Sequence, residues 1–143
     1  MIYVLDTNVC IRYLNGRSPL VRERLQALEA GSIRLCSVVK AELVYGAAKS
    51  RVREHTLAKL DRFFAAFESL PFDDRAALNY GEIRADLESQ GTPIGPNDLL
   101  IAAIALANQA TLVTTNTREF ARVKGLELEN WETSTSGERM GNT

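Results

Sequence analysis

Ile2-Tyr3-Val4-Leu5-Asp6-Thr7-Asn8-Val9-Cys10-Ile11-Arg12-Tyr13-Leu14 begins as a short apolar run, ends that run on an aspartate, and then spaces its apolar residues as a helix would. A strand buried on both faces reads as a continuous apolar run, whereas the residues after Asn8 repeat with helical period. The stretch therefore predicts a buried strand passing directly into a helix, which is how a parallel α/β sheet begins. Asp6 falls at the junction.

Further along the chain the same alternation recurs. Ser18 before Pro19 predicts an N-cap with proline in the first helical position, opening a helix that buries Leu20, Val21, Leu25 and Leu28 and stops at Gly31. Ile33 to Cys36 reads as a second strand, and Ser37 as the cap of a helix carrying Val38, Val39, Glu42, Leu43 and Val44. A helix from Val52 to Glu68 and a brief strand from Ser69 to Phe72 come next. From Asp73 or Asp74 an amphipathic helix runs towards Gly91, with Ala77, Leu78, Tyr80, Ile83 and Leu87 on its apolar side. Gly91 to Pro96 is a rigid turn. The helix beginning near Asn97 is apolar on nearly all sides and should be buried. Thr111 to Thr114 and Leu126 to Trp131 read as strands, with a helical turn or two from Arg118 to Val123 between them.

Strands alternating with helices imply an α/β fold, a small parallel sheet covered on both faces. With 143 residues the chain fits one domain, assigned to 1–131, and the polar stretch 132–143 reads as a flexible tail. Apolar residues make up 45% and charged residues 24%, the balance of a soluble protein. No run is long enough to span a membrane and no signal peptide is evident, so a cytoplasmic protein with no membrane contact is expected.

Composition also excludes several chemistries. Cys10 and Cys36 lie in apolar surroundings without CxxC spacing, and read as buried thiols, not a zinc site or a disulfide. The single histidine, His55, has no serine or cysteine in a nucleophile context near it, which argues against a Ser-His-Asp or Cys-His mechanism. A net charge of −1 leaves no bulk attraction for nucleic acid, so any such contact must be local. Arg12, Arg17, Arg51, Arg53, Arg118 and Arg122 fall in loops or at helix ends where they could meet phosphates, although solvated surface charge is the plain reading of each.

Ligands of open parallel sheets bind beyond the carboxyl ends of the strands. Asp6 and the segment Thr114-Thr115-Asn116 occupy such places, and Asp98 begins the buried helix just after the Gly95-Pro96 turn. Helix capping alone would account for Asp6 or for Asp98. Glu42 is different, because its helical neighbours include Val38, Val39 and Tyr45, and a carboxylate on an apolar face needs a cation. A divalent metal shared by Asp6, Glu42 and Asp98 would satisfy all three. Oxygen donors without histidine or cysteine select Mg²⁺, with Mn²⁺ able to substitute, and such a site suits phosphodiester cleavage.

Four segments together resemble a known family: Tyr3-Val4-Leu5-Asp6-Thr7-Asn8, the helix from Lys40 to Ala47, the run from Gly91 to Ala103, and Leu112-Val113-Thr114-Thr115-Asn116-Thr117-Arg118-Glu119-Phe120 with Trp131 beyond it. The chain is similar over Met1 to about Trp131 to VapC-type toxins, the PIN-domain ribonucleases of bacterial type II toxin-antitoxin systems. The resemblance implies a PIN-like α/β/α sandwich and a Mg²⁺-dependent endoribonuclease whose metal-holding acids correspond to Asp6, Glu42 and Asp98. It also implies a homodimer and a VapB-like antitoxin whose C-terminal segment blocks the active-site groove, with any DNA contact arising only through that antitoxin. The substrate implied is RNA, with tRNA foremost and the initiator tRNA anticodon stem-loop as one possibility.

One position departs from the pattern. Many PIN domains have an aspartate where this chain has Asn116; Glu119, one helical turn later, can supply the charge, with the Asn116 carbonyl as a further metal ligand. Pairing of Glu119 with Arg118 or Arg122 is the structural alternative. Thr7, Asn8 and Thr114 are candidates for orienting the acids or the phosphate. Asn116 also motivates a second reading, a catalytically weak PIN domain that binds RNA or antitoxin without cutting. A phosphotransferase with an aspartyl nucleophile at Asp6 is disfavoured, since it would want a second aspartate where Asn8 stands.

Overall fold

A computed structural model of the chain describes residues 1–133 and, for backbone alone, 139–140. Strand β1 (Tyr3–Leu5) runs into helix α1 (Thr7–Leu14), followed by α2 (Pro19–Ala27), β2 (Ile33–Cys36) and α3 (Ser37–Ala48). Helix α4 (Arg53–Ala65), β3 (Glu68–Leu70), α5 (Asp74–Ser89) and α6 (Pro96–Ala107) come next. The order closes with β4 (Thr111–Val113), α7 (Thr117–Phe120), β5 (Leu128–Glu129) and β6 (Arg139–Met140).

The strands form one sheet in the order β3-β2-β1-β4-β5-β6, parallel except for β6, which is antiparallel to β5. Helices flank it as an α/β/α sandwich. From β1 the chain steps outward through β2 to β3, then returns across β1 to place β4 on its other side. The reversal leaves a crevice beyond the carboxyl ends of β1 and β4, where this sheet class binds ligands. Register pairs Tyr3 with Thr111 and Leu5 with Val113, so Asp6 and Thr114 end their strands side by side.

Burial explains the strand sequences. Val4, Leu5, Ile33, Leu35, Leu112 and Leu128 are all fully buried, as expected for strands covered on both faces. Helix α6 buries Leu99, Ile101, Ala102, Ala103, Ile104, Ala105 and Ala107, and packs along α5. Its alanines leave room for that close approach.

Several sequence expectations need correction. Ser37 is the first residue of α3, not its cap; Cys36 holds the cap position and the Ser37 hydroxyl donates instead to the Leu70 carbonyl at 3.4 Å, across to β3. Leu78 points to solvent at 74% exposure, because α5 turns Ala76, Ile83 and Leu87 inward. Leu20 is also exposed, and α2 ends at Ala27, a short 3₁₀ turn at Ala30–Ser32 leading into β2 instead of a stop at Gly31. The expected strands Ser69 to Phe72 and Leu126 to Trp131 are shorter and lie at Glu68–Leu70 and Leu128–Glu129. Within the stretch read as a tail, Arg139–Met140 pairs with β5, while 134–138 and 141–143 lie outside the described residues.

Candidate active site

Asp6 is the N-cap of α1, and its Oδ1 accepts the Thr7 backbone N–H at 2.8 Å. Capping uses only one of its oxygens. The other, Oδ2, accepts the Thr114 hydroxyl at 2.7 Å from the end of β4. The carboxylate is thus fixed at the crevice from two sides, by the first turn of α1 and by the residue that follows β4.

Glu42 reaches the same place from α3. Its Oε1 accepts the Thr7 hydroxyl at 2.6 Å and its Oε2 accepts the Asn97 amide at 3.2 Å. Among the described residues, neutral donors and not a lysine or arginine meet this acid. Asn97 was not among the residues singled out from sequence; its position beside Asp98 at the start of α6 was the available signal.

Asp98 and Glu119 meet around Gly95. The Gly95 backbone N–H donates to Glu119 Oε1 at 2.9 Å, and the Asn116 side-chain amide donates to Glu119 Oε2 at 3.0 Å. A methyl group on Gly95 would stand 3.5 Å from Asp98 Oδ2 and 3.8 Å from Glu119 Oε1, so both acids crowd one spot. Sequence reasoning placed Asn116 as a metal ligand. The structure gives its amide the task of orienting Glu119, and its own backbone N–H bonds the Thr114 hydroxyl at 2.9 Å. Thr114 therefore links Asp6 to the Asn116 loop. Asn8 is exposed on the first turn of α1, facing the groove that Thr7, Glu42 and Asn97 also line.

Electrostatics sets these acids apart from the rest of the surface. Burial pushes the Asp98 carboxyl up to about 7, helped by the charges of Asp6, Glu119 and Glu42 and by a hydrogen bond to Glu119. Asp6 is also raised, first by burial, against the bonds from Thr114 and Thr7 that favour its charged form. Glu119 is lowered by the Asn116 and Gly95 donors, by a bond from Asp98 and by the charge of Arg122. Two environments drive neighbouring carboxyls in opposite directions, so a proton on Asp98 is shared towards an ionised Glu119. Among the described residues, none of the four acids forms an ion pair; the pairs seen are Arg12–Glu132, Arg24–Glu129, Arg34–Glu68 and Arg84–Glu88.

Such a cluster fits a hard divalent cation. The donors are carboxylate, amide and hydroxyl oxygens, the set that favours Mg²⁺ or Mn²⁺, and a cation would relieve the mutual repulsion that raises Asp6 and Asp98. As they stand, no three His, Cys, Asp or Glu side chains among the described residues close around a single point, so the cage is not preformed. The thiols take no part, since burial raises Cys36 to about 11 and Cys10 well above its ordinary value.

A model of the PIN domain family matches residues 3–126. The chain belongs to the PIN-domain family. Within that family it is similar to the VapC proteins. Ribonuclease VapC2 of Rickettsia felis is 44% identical over 133 residues, which cover 92% of this chain and 99% of the relative. The tRNA(fMet)-specific endonuclease VapC of Shigella flexneri is 43% identical over 129 residues, 90% of this chain and 97% of the relative. Among solved structures, VapBC2 from Rickettsia felis bound to a promoter DNA fragment matches with a TM-score of 0.86 and 44% identity, over 92% of this PIN domain chain and 99% of the other. DNA-bound VapBC from Salmonella typhimurium matches with a TM-score of 0.87 and 38% identity, over 92% and 98%.

Proposed function

We propose that this PIN domain is a Mg²⁺-dependent endoribonuclease, the toxin of a VapBC-type toxin-antitoxin pair, which hydrolyses RNA phosphodiester bonds. The observation that carries the proposal is the convergence of Asp6, Glu42, Asp98 and Glu119 at the crevice between β1 and β4, none of them in an ion pair among the described residues and only Glu119 within reach of an arginine's charge, that of Arg122. Unpaired, partly buried acids that repel one another are costly unless a cation joins them. Similarity to relatives named as ribonucleases and as a tRNA(fMet)-specific endonuclease supports tRNA, the initiator species foremost, as the proposed substrate.

Asp6, Glu42 and Asp98 would hold the metal, with Asn116 able to turn its carbonyl oxygen inward and Glu119 as the fourth acid. When bound, Mg²⁺, or Mn²⁺ in its place, supplies charge neutralisation at the phosphate and activates water for attack at neutral pH. Thr114 and Thr7 keep Asp6 and Glu42 from rotating out of the crevice, and Asn97 fixes the second oxygen of Glu42. Asn116 and Gly95 hold Glu119 ionised, which leaves Asp98 as the acid that gives up a proton when a cation arrives.

The similar complexes extend the reading to partners. The DNA-bound VapBC complexes support a VapB-like antitoxin as partner; in this proposal the antitoxin would cover the groove, a homodimer would be the working form, and DNA would be met only through the antitoxin. No described helix is long and apolar enough to cross a membrane, and the cytoplasm is where tRNA would be met.

The test is cleavage of total tRNA by the purified chain with Mg²⁺, with Mn²⁺ and with EDTA, alongside Asp6→Asn and Asp98→Asn. A discrete RNA end that needs the metal and both aspartates is the expected result. Cutting that persists in EDTA, or in the double variant, would overturn it; tight RNA binding with no turnover would favour a non-catalytic binding module.

A further inference from the structure

Beside the acid centre lies a second pocket of opposite character. Asn8, Ile11, Arg12 and Asn15 follow one another at helical spacing along one face of α1, and with Arg17 and Thr115 they line a pocket of about 330 Å³. All six residues are exposed. Asn8 and Ile11 also line the groove that contains Thr7, Glu42 and Asn97, so the two spaces adjoin. Thr115 follows Thr114, the residue bonded to Asp6.

The two arginines are brought together by the backbone. Helix α1 ends with Gly16 at φ +67°, the Gly16 N–H bonding the Tyr13 carbonyl at 3.1 Å and the Arg17 N–H bonding the Arg12 carbonyl at 2.9 Å. These two bonds are the Schellman arrangement, which requires a residue such as glycine in the left-handed region. It folds Arg17 back over the last turn of α1. Two cations then sit at the negative end of a helix dipole.

Their free valences face a polyanion's needs. The Arg12 Nε donates to Glu132 Oε1 at 3.0 Å, and Glu132 is itself held by its backbone N–H on Asn130 Oδ1 at 2.8 Å. The terminal nitrogens of Arg12 and the whole Arg17 guanidinium have no partner among the described residues. One acid thus anchors one arginine and leaves a positive, donor-rich pocket with Asn8, Asn15 and Thr115 around it. From Asp6 to Arg12 the helix rises about 9 Å, which puts the guanidiniums beyond the acids and not on them.

We propose that this pocket is a subsite for an RNA phosphate flanking the one that is cut, with Arg12 and Arg17 as its binding residues. The proposal rests on the nuclease reading above. Arginine's planar fork suits phosphate oxygens, and a chain of net charge −1 whose catalytic crevice is acidic needs a local cationic foothold to hold RNA there. The acids and the arginines then divide the labour: one set for the reacting phosphate, the other for its neighbour.

Arg12→Gln, Arg17→Gln and the double variant should each fold, and the measurements are steady-state cleavage of a fluorescein-labelled RNA stem-loop and its binding in EDTA across a salt series. Each single substitution should raise KM about tenfold and leave kcat within about twofold, as loss of a charged hydrogen bond in uniform binding does. The slope of log Kd against log salt should fall by about 0.7 per arginine removed, the value for single-stranded phosphate contacts. Glu132→Gln loosens the anchor and keeps both cations, so its salt slope should stay at the parent's even if KM moves; a slope that falls as in Arg12→Gln would mean that the arginine variants act through the structure and would overturn the subsite. Arg75→Gln, on α5, should change nothing.

Parent cleavage with KM and salt slope unchanged in the double variant would overturn the subsite and keep the nuclease. An arginine-dependent slope without any cleavage would keep the subsite and overturn the nuclease. A parent that neither binds nor cuts the stem-loop would end both.

Discussion

Thr114 donates its hydroxyl to Asp6 Oδ2 at 2.7 Å, a buried bond between the ends of two neighbouring parallel strands whose residues lie 108 positions apart. It fixes one oxygen of a buried acid of the centre. Thr114→Val keeps the shape and leaves that oxygen without a donor, which should cost about 1–3 kcal/mol in denaturant unfolding. Asp6 would then hold its proton to still higher pH, and Mg²⁺ affinity should fall about 10- to 100-fold, as when a ligand loses its supporting partner. Isothermal titration of the variant with Mg²⁺ checks this, and unchanged affinity would count against Asp6 as a ligand.

Asp98→Asn removes the carboxyl that its neighbours push up to about 7, and with it a repulsion that the metal-free protein carries at neutral pH. The expected outcome is a melting temperature at pH 8 in EDTA higher than the parent's, together with loss of Mg²⁺-dependent stabilisation and of cleavage. Stability and activity should move in opposite directions. A merely structural aspartate would lower both.

The pH dependence follows from the same carboxyl. Its folded value, about 7, lies above the ordinary 3.8, so the folded state binds more protons than the unfolded one between those values. Its contribution to stability is therefore full below about 3.8 and is lost as pH rises through about 7; Asp6, also raised, acts in the same sense. Melts from pH 4 to 8 in EDTA should show this loss superimposed on the titration of other groups, and it should be absent in Asp98→Asn. Mg²⁺ should restore more stability at pH 8 than at pH 5, and binding near neutral pH should release up to about one proton, readable from titrations in buffers of different ionisation heat.

Away from the crevice, Glu129 is buried at the end of β5 and accepts from Arg24 at 3.1 Å and from the Trp131 indole at 3.0 Å. Arg24 also lies over the Trp131 ring, 5.2 Å from its centre. Arg24→Ala strips the charge partner and the ring contact while the indole bond remains, and should destabilise by about 2–4 kcal/mol. Arg24→Ala with Glu129→Gln should recover part of that loss, since no buried charge is then left. Urea unfolding of the single and double variants gives both numbers.

Gly91→Ala tests the turn that leads to Asp98. Gly91 has φ +71° and completes the end of α5, with its N–H on the Glu88 carbonyl and the Thr92 N–H on the Leu87 carbonyl. Nothing stands near a methyl group there, so the cost is backbone strain alone, about 1–2 kcal/mol. A much larger loss would mean that the 91–96 turn itself is rearranged.

Much of this was legible from residue type and spacing. Ser18 with Pro19 named a helix start that the structure keeps, the Ser18 hydroxyl accepting the Val21 N–H at 3.3 Å, because a cap and a fixed proline φ act locally. Ile33 to Cys36 read as a buried strand for the same kind of reason. Leu78 misled, because α5 carries apolar residues on two faces and only contact with α6 decides which one is covered. Ser37 misled because its hydroxyl found a carbonyl on β3, a partner 33 positions away.

The candidate site divides along the same line. Asp6, Glu42 and Asp98 stood out, since an acid ending a strand or lying among valines needs explanation. Asn97 and the Gly95 N–H did not, because an amide and a backbone group acquire their meaning only from the acid they happen to face. Asn116 drew notice as the residue standing where many PIN domains have an aspartate; that its amide would orient Glu119 depended on a side-chain rotation no spacing records.

The acids of the crevice come from the β1–α1 junction, α3, α6 and α7, and the residue that pins Asp6 follows β4. A nascent chain still on the ribosome with α7 inside the exit tunnel lacks Glu119, the Asn116 loop and the Thr114 hydroxyl together. The cluster thus assembles last, after nearly all of the polypeptide has been made. An interrupted translation product that ends before α7 would lack the Glu119 side of the cluster, so no partial chain would carry the complete set of acids.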